Sequence, residues 1–272
     1  MESLVHPKER TYFAIAILVS ALVYLALVYL ALVIPIAVFV VYLVYIAIGA
    51  LIVLVTHGLL IGELRGNGVR VSERQFPEVH RLVERLSREM DLPAVPDVYV
   101  LQTGGVLNAF ATRFLGRNFV VIYSDVLELA YQNGEPALGF VVAHELAHVK
   151  REHLFKRWLL FPAMFVPFLG TAYSRACEYT CDCFGAHYRP DGAYDGLRVL
   201  AAGKQLYAAV DVAELQAQAQ RDRGFWVWFA EILSTHPHLS RRVAALSERG
   251  VVVPVADRPS PGVAERIASW SG

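Results

Sequence analysis

The sequence predicts a mostly helical α+β protein with a small β-sheet, preceded by a hairpin of two membrane-spanning helices. Three observations lead there. From residue 11 to residue 62 the only side chain able to carry a charge is His57. Beyond that stretch, apolar residues recur at helical spacing in several segments, with two short β-branched runs between them. The third is the segment FVVAHELAHVKREH, residues 140–153, where two histidines stand four residues apart within an apolar pattern.

The uncharged stretch is too long for one span, because a single helix over it would measure about 75 Å against a hydrocarbon core of roughly 30 Å. Two spans fit, residues 12–34 and 36–56, separated by Pro35, whose ring clashes with the preceding turn and removes a backbone donor. So long an apolar run also exceeds the core of a cleaved signal peptide. Lys8 and Arg10 precede the first span, and Arg65, Arg70 and Arg74 follow the second. A hairpin places both basic flanks on one side, which the positive-inside rule makes cytoplasmic. Cys177, Cys181 and Cys183 are clustered and odd in number, unlike a disulfide framework, and reduced thiols suit that side. Lys plus Arg and Asp plus Glu both total 25, so no basic excess is available and nucleic acid is excluded as a main partner. The expected organisation is an anchor in the lipid bilayer over residues 1–62, a main domain over 63–250 and a weakly patterned tail over 251–272.

Within the main domain, RGNGVR reads as a turn and SERQFPEVHRLVERLSREMDLP as a helix. Ser72 and Gln75 have capping-box spacing, and Val79, Leu82, Val83, Leu86 and Met90 form the apolar stripe. Residues 96–102 read as a strand, TGGVLNAFATRF as a Gly-Gly turn with an apolar segment, and residues 118–123 as a second strand. A helix begins near Ser124 and Asp125. Another starts at Glu135 and Pro136, with proline in its favoured first position, and carries the paired histidines. The block WLLFPAMFVPFLGTAY, residues 158–173, is short for a span. It dips into the membrane, lies on its surface or packs as core. Ser174 is the expected cap of a helix over 174–188, and residues 195–210 and 237–249 complete the helices.

Positions i and i+4 share a helix face, so His144 and His148 aim two imidazoles at one point, with Glu145 beside the first. That is the mechanical logic of H-E-x-x-H, with two neutral nitrogen ligands for zinc and a carboxylate base. The preceding run ALGFVV predicts burial, and buried histidines without a metal or partner are costly. Three candidates compete for the third ligand. His153 fails the pattern H-E-x-x-H-x-x-G-x-x-H, because Arg151 and Leu154 stand where Gly and His are required. The cysteines would make a closed, structural kind of site. Glu178 is favoured, since it completes a His2Glu set and has Asp182 one turn on to accept the second N–H of a ligand histidine. A non-catalytic membrane scaffold with a structural metal is the alternative outcome, and a hydrolase using another metal is a third.

HELAH, SRACEYTCD and STHPHLSRRVAAL, with LNAF at residues 107–110, together resemble the HtpX-like membrane zinc endopeptidases, the family that includes the CAAX prenyl proteases. The resemblance covers roughly residues 72–246 and the preceding hairpin. It implies a zincin-like (gluzincin) metalloprotease core with one Zn2+ per chain. His144, His148 and Glu178 would be the ligands, Glu145 the base and His236 an electrophilic helper. Asn108, Ala109 and Phe110 would lie near the substrate cleft. From its own position, Arg242 is expected either to pair with a carboxylate near the site, Asp182, or to stand as a solvated helix charge. Residues 118–123 are expected to be an edge strand that adds an extended peptide, with Val120 and Val121 at the substrate. His153, Lys150 and Arg151 are expected to form a basic face at the membrane surface, and His238 to be a surface residue. The implied protein is an integral inner-membrane endopeptidase whose catalytic domain faces the cytoplasm. Its partners would be protein or peptide substrates, in membrane-protein quality control or in the processing of one partner. The chain departs from the family at one place, because residues 158–173 stand where two further spans are usual.

Overall fold

The computed structural model describes residues 2–102, 109–133 and 135–251. Two long apolar helices open the chain, α1 (Pro7–Val33) and α2 (Ile36–Asn67), and the break falls at Ile34 and Pro35 as expected. Both are long and apolar enough to cross a membrane. Nearly every side chain over residues 21–33 and 36–57 is exposed, with no protein core to cover it, an arrangement that lipid stabilises and water does not. The second helix ends later than the sequence suggests, running through Arg65, Gly66 and Asn67. The reason is tertiary: Ile61 and Leu64 are buried against Tyr99, Phe119 and Val121, and this packing carries the helix past the expected turn.

Helix α3 (Pro77–Glu89) presents Val79, Leu82, Val83 and Leu86 to the core. Its start differs from the capping-box expectation. Ser72 and Gln75 pair their backbones as a small bridge, 2.8 and 3.0 Å, and the helix begins at Pro77 after Phe76 takes a left-handed conformation. The fixed φ and missing N–H of Pro77 suit the first helical position without a side-chain cap.

The sheet has the order β1-β2-β4-β3, built from β1 (Val69–Arg70), β2 (Asp97–Leu101), β3 (Ala109–Phe114) and β4 (Arg117–Tyr123). Strand β4 pairs in parallel with β2 and antiparallel with β3. It is therefore an interior strand, which overturns the expectation that residues 118–123 form an edge. Val120 and Val121 are fully buried and have no route to a substrate. Among the described residues the edges are β1 and β3, and β3 is a strand that the apolar reading of AFATRF does not resolve.

Helix α4 (Ser124–Asn133) leads to α5 (Pro136–Lys150), the central helix. Almost all of α5 is buried, because α4, α8, α9 and the sheet enclose it, so its apolar residues do not form a single stripe. Each fully buried side chain such as Phe140 or Leu146 contributes about 1.5–3 kcal/mol of hydrophobic stabilisation. Phe140 lies between two glycines: a Cβ on Gly196 would fall 2.4 Å from its ring and one on Gly185 2.8 Å. These two positions let α8 and α9 close on α5.

Residues 158–173 form no single helix. They divide between α6 (His153–Leu159), α7 (Phe161–Met164) and the start of α8 (Leu169–Tyr188). Leu160, Ala163 and Tyr173 pack against Ala16 of α1. Helix α8 starts ahead of the expected cap Ser174, entered through a left-handed Phe168. Helix α9 (Ala193–Leu206) is kinked at Gly203, φ 82°. Helices α10 (Val212–Arg221) and α11 (Phe225–Leu233) go beyond the sequence expectations, and α12 (Leu239–Glu248) falls where a helix is expected.

Candidate metal centre

The close packing of α5 on α8 turns His144 and His148 toward Glu178. His144 Nε2 lies 3.4 Å from Glu178 Oε2, and His148 Nε2 lies 3.4 Å from Glu178 Oε1. A tetrahedral zinc site with bonds of about 2.0–2.1 Å has ligand-to-ligand edges of about 3.3–3.4 Å. Each histidine Nε2 therefore lies at about that spacing from one oxygen of Glu178, and the donor chemistry suits such an ion. His144 and Glu178 are buried.

Behind His144, Asp182 Oδ1 accepts from Nδ1 at 2.9 Å, as its position one turn after Glu178 implies. Arg242, brought in by α12, donates to both oxygens of Asp182 at 2.6 and 2.7 Å and approaches Glu178 at 3.8 Å. The expected Asp182–Arg242 pair is thus present, and buried. Burial opposes charge on His144, but the Asp182 and Glu178 carboxylates outweigh it and raise the imidazole to about 10. Burial pushes Glu178 and Asp182 upward. His144 and His148 hold Glu178 well below the carboxylate range, and Arg242 with His144 holds Asp182 below its ordinary value. A metal ion entering this site competes with the proton on His144.

A cavity of about 210 Å³ opens beside these residues, lined among others by Phe110, Glu145, His148, His236 and Arg242. Glu145 is buried at its wall. His236, on the loop between α11 and α12, is exposed, with Nε2 3.5 Å from Glu178 Oε1 and Nδ1 3.0 Å from the Thr235 hydroxyl. Ala109 and Phe110 line the cavity at the start of β3, whereas Asn108 lies outside the described residues.

The cysteines are buried and free. The ligand atoms of Cys181, His144 and His148 lie within 4.8 Å of one another. Cys181 nevertheless does not line the cavity, and its sulfur sits 3.7 Å from His153 Nδ1. His153 corrects the expectation of a basic surface. It is only 2% exposed, with Nδ1 3.1 Å from His148 Nδ1 and Nε2 3.3 Å from Glu9 Oε1. Arg151 pairs with the same Glu9 oxygen at 2.8 Å. The contacts to Glu9 join segments far apart in the chain, and the sequence carries no signal for them. His238 is half-buried at the start of α12.

Helix-borne histidines facing a carboxylate on a second helix, in a chain with two apolar membrane-length helices, are in keeping with a membrane-associated metalloprotease. Residues 73–165 and 156–250 match the model of peptidase family M48, and together they cover more than half of the chain, which belongs to that metal-dependent family. Within it the chain is HtpX-like. It is 28% identical over 218 residues to the Protease HtpX homolog of Salinibacter ruber, covering 65% of this chain and 76% of the relative. The homolog of Pyrococcus abyssi is 29% identical over 238 residues, 67% and 78% of the two chains. That of Halobacterium salinarum is 36% identical over 108 residues, 38% and 36%.

Proposed function

We propose that this protein is a zinc-dependent endopeptidase of the inner membrane, with its peptidase domain on the cytoplasmic side. Residues 1–62 serve as its anchor, residues 63–250 as the peptidase domain and residues 251–272 as a tail. Helix α2 runs unbroken from anchor into domain. The observation that carries this reading is the convergence of His144, His148 and Glu178 on the wall of an open cavity, each histidine Nε2 3.4 Å from a Glu178 oxygen.

In this mechanism those three residues would hold one zinc ion per chain. When bound, zinc supplies a Lewis acid that polarises the scissile carbonyl and lowers the pKa of a water molecule. Glu145 accepts the proton of the attacking water and delivers it to the leaving amine. His236 donates toward the charge that develops on the carbonyl oxygen. Asp182 keeps the Nδ1 proton of His144 in place, so that Nε2 stays free as a donor to the ion. The open edge of β3 runs into the cavity at Ala109 and Phe110. An extended peptide pairing there would present its backbone to Glu145.

The expected substrates are membrane proteins in quality control. Zinc content and casein or membrane-protein cleavage, compared across wild type, Glu145→Gln and Glu178→Ala, test the reading. Wild type should bind one zinc and cleave. Glu145→Gln should bind zinc without cleaving, and Glu178→Ala should lose both. A Glu178→Ala variant with full zinc content and wild-type turnover would overturn it.

A further inference from the structure

Helix α11 (Phe225–Leu233) has the sequence FWVWFAEIL, yet the described residues scarcely cover it. Trp226 is 75% exposed, and Phe225, Trp228 and Leu233 are exposed with it. Glu231 is the one buried residue of the helix, and it pairs with Arg241. An apolar, aromatic patch of this kind on a protein surface marks an interaction with something else.

The position of α11 indicates what covers it. Thr171 Oγ1 donates to the Ile232 carbonyl at 2.6 Å, and Arg175 donates to the carbonyls of Glu231, Ile232 and Ser234 at 2.7–3.0 Å. These bonds clamp the end of α11 to the first turns of α8. The same turns, through Leu169 and Tyr173, pack against Tyr12, Phe13, Ala16 and Ile17 of α1. Those are the first apolar turns of a helix that continues, uncovered, through residues 21–33. Helix α11 therefore sits at the level where α1 leaves the protein. On the same side Phe165 and Phe168, just before α8, are 73% and 48% exposed. Tryptophan favours the boundary between lipid headgroups and hydrocarbon, where its ring is apolar and its N–H stays wet.

We propose that α11 is an interfacial helix. It lies along the bilayer surface with Trp226 and Trp228 in the lipid, and it ties the adjoining His236 loop to the membrane. Two residues separate Leu233 from His236, so the seating of α11 sets how His236 meets Glu178. The proposal rests on α1 and α2 being membrane spans, and its link to His236 rests on the peptidase reading.

The tryptophans of the chain are Trp158, Trp226, Trp228 and Trp270. A Trp158→Phe/Trp270→Phe variant, in nanodiscs of phosphatidylcholine with brominated acyl chains, reports on α11 alone. The expected result is emission quenched several-fold, more by bromines near the headgroup than by bromines near the chain end. A second reporter, Leu25→Trp in a chain whose other tryptophans are phenylalanine, reads the depth of α1. Quenching of the α1 reporter without quenching of Trp226 and Trp228 overturns the proposal while the anchor stands. Absence of both overturns the anchor and the proposal together. Blue-shifted emission that bromine does not quench, and that changes with the protein-to-lipid ratio, replaces the bilayer by a second copy of the chain. These fluorescence readings decide the matter whether or not the chain is a peptidase. For the link to His236, Trp226→Ser/Trp228→Ser should lower cleavage several-fold at unchanged zinc content. Cleavage at the wild-type rate by this double variant would overturn that link.

Discussion

His148 and His153 face each other nitrogen to nitrogen, their Nδ1 atoms 3.1 Å apart. One of the two must carry a proton. When His148 turns Nε2 toward a metal, its proton rests on Nδ1 and His153 accepts it. His153 then holds its own proton on Nε2, which faces Glu9 Oε1 at 3.3 Å. Glu9 stands in the first turn of α1, so the base of the first apolar helix adjoins the back of a candidate ligand. Replacing His153 by Phe strands the His148 N–H. Zinc affinity should fall about 10–100-fold, the usual cost of losing such support, and His153→Gln, which keeps an acceptor, should recover part of it. Competition with a chromophoric chelator measures both, and equal affinities for wild type and the Phe variant would refute the role.

Glu145→Gln keeps the shape of the cavity wall and removes the base. Turnover should drop by at least about 10²–10⁴-fold, the range of general-base catalysis, with zinc stoichiometry unchanged. Single-turnover cleavage of a fluorogenic peptide is the measurement. A wild-type rate would show that another group takes the proton.

Asp182 and Arg242 form a buried ion pair at 2.6 and 2.7 Å. Asp182→Ala leaves a guanidinium without its main partner inside the protein, which should cost about 3–5 kcal/mol. The double variant Asp182→Leu/Arg242→Met removes both charges and should recover much of that stability, though not zinc affinity, because His144 loses its acceptor. Thermal melts in detergent with metal analysis separate the two effects. A double variant less stable than Asp182→Ala would count against this account.

A methyl group on Gly196 would fall 2.4 Å from the Phe140 ring. Gly196→Ala should therefore destabilise the fold by about 1–3 kcal/mol, the range for overpacking. Phe140→Leu in the same chain makes room and should restore part of the loss. If the two substitutions are simply additive in chemical denaturation, the close approach is not the cause.

Chelation should destabilise the native state as well as silence it. A metal present at about 1,000 times its dissociation constant adds about 4 kcal/mol to a fold that alone can bind it. The melting temperature should fall on adding chelator to wild type and stay fixed in Glu178→Ala. Equal shifts in both proteins would place the stabilising metal elsewhere.

Much of this protein can be read from the chain because its strongest signals are local. The two long apolar helices follow from an uncharged apolar run broken by Pro35. The pairing of the histidines follows from helical spacing, and Glu178 and Asp182 stand one turn apart on a helix further along the chain. Where local patterns are ambiguous, packing decides. The interior place of β4, and hence the burial of Val120 and Val121, depends on β2 and β3 lying on either side, and register partners are not encoded in the strand itself. The start of α3 at Pro77, the extension of α2 to Asn67 and the interior site of His153 depend likewise on neighbours distant in sequence. By itself the sequence determined the residue types and their spacing, two imidazoles and a carboxylate on helices in a chain with two membrane-length apolar helices, because periodicity and residue type are properties of short segments. Only the tertiary structure decided which strand edge stays free, what stands behind each histidine and which apolar helix is left uncovered, because those depend on which surfaces meet.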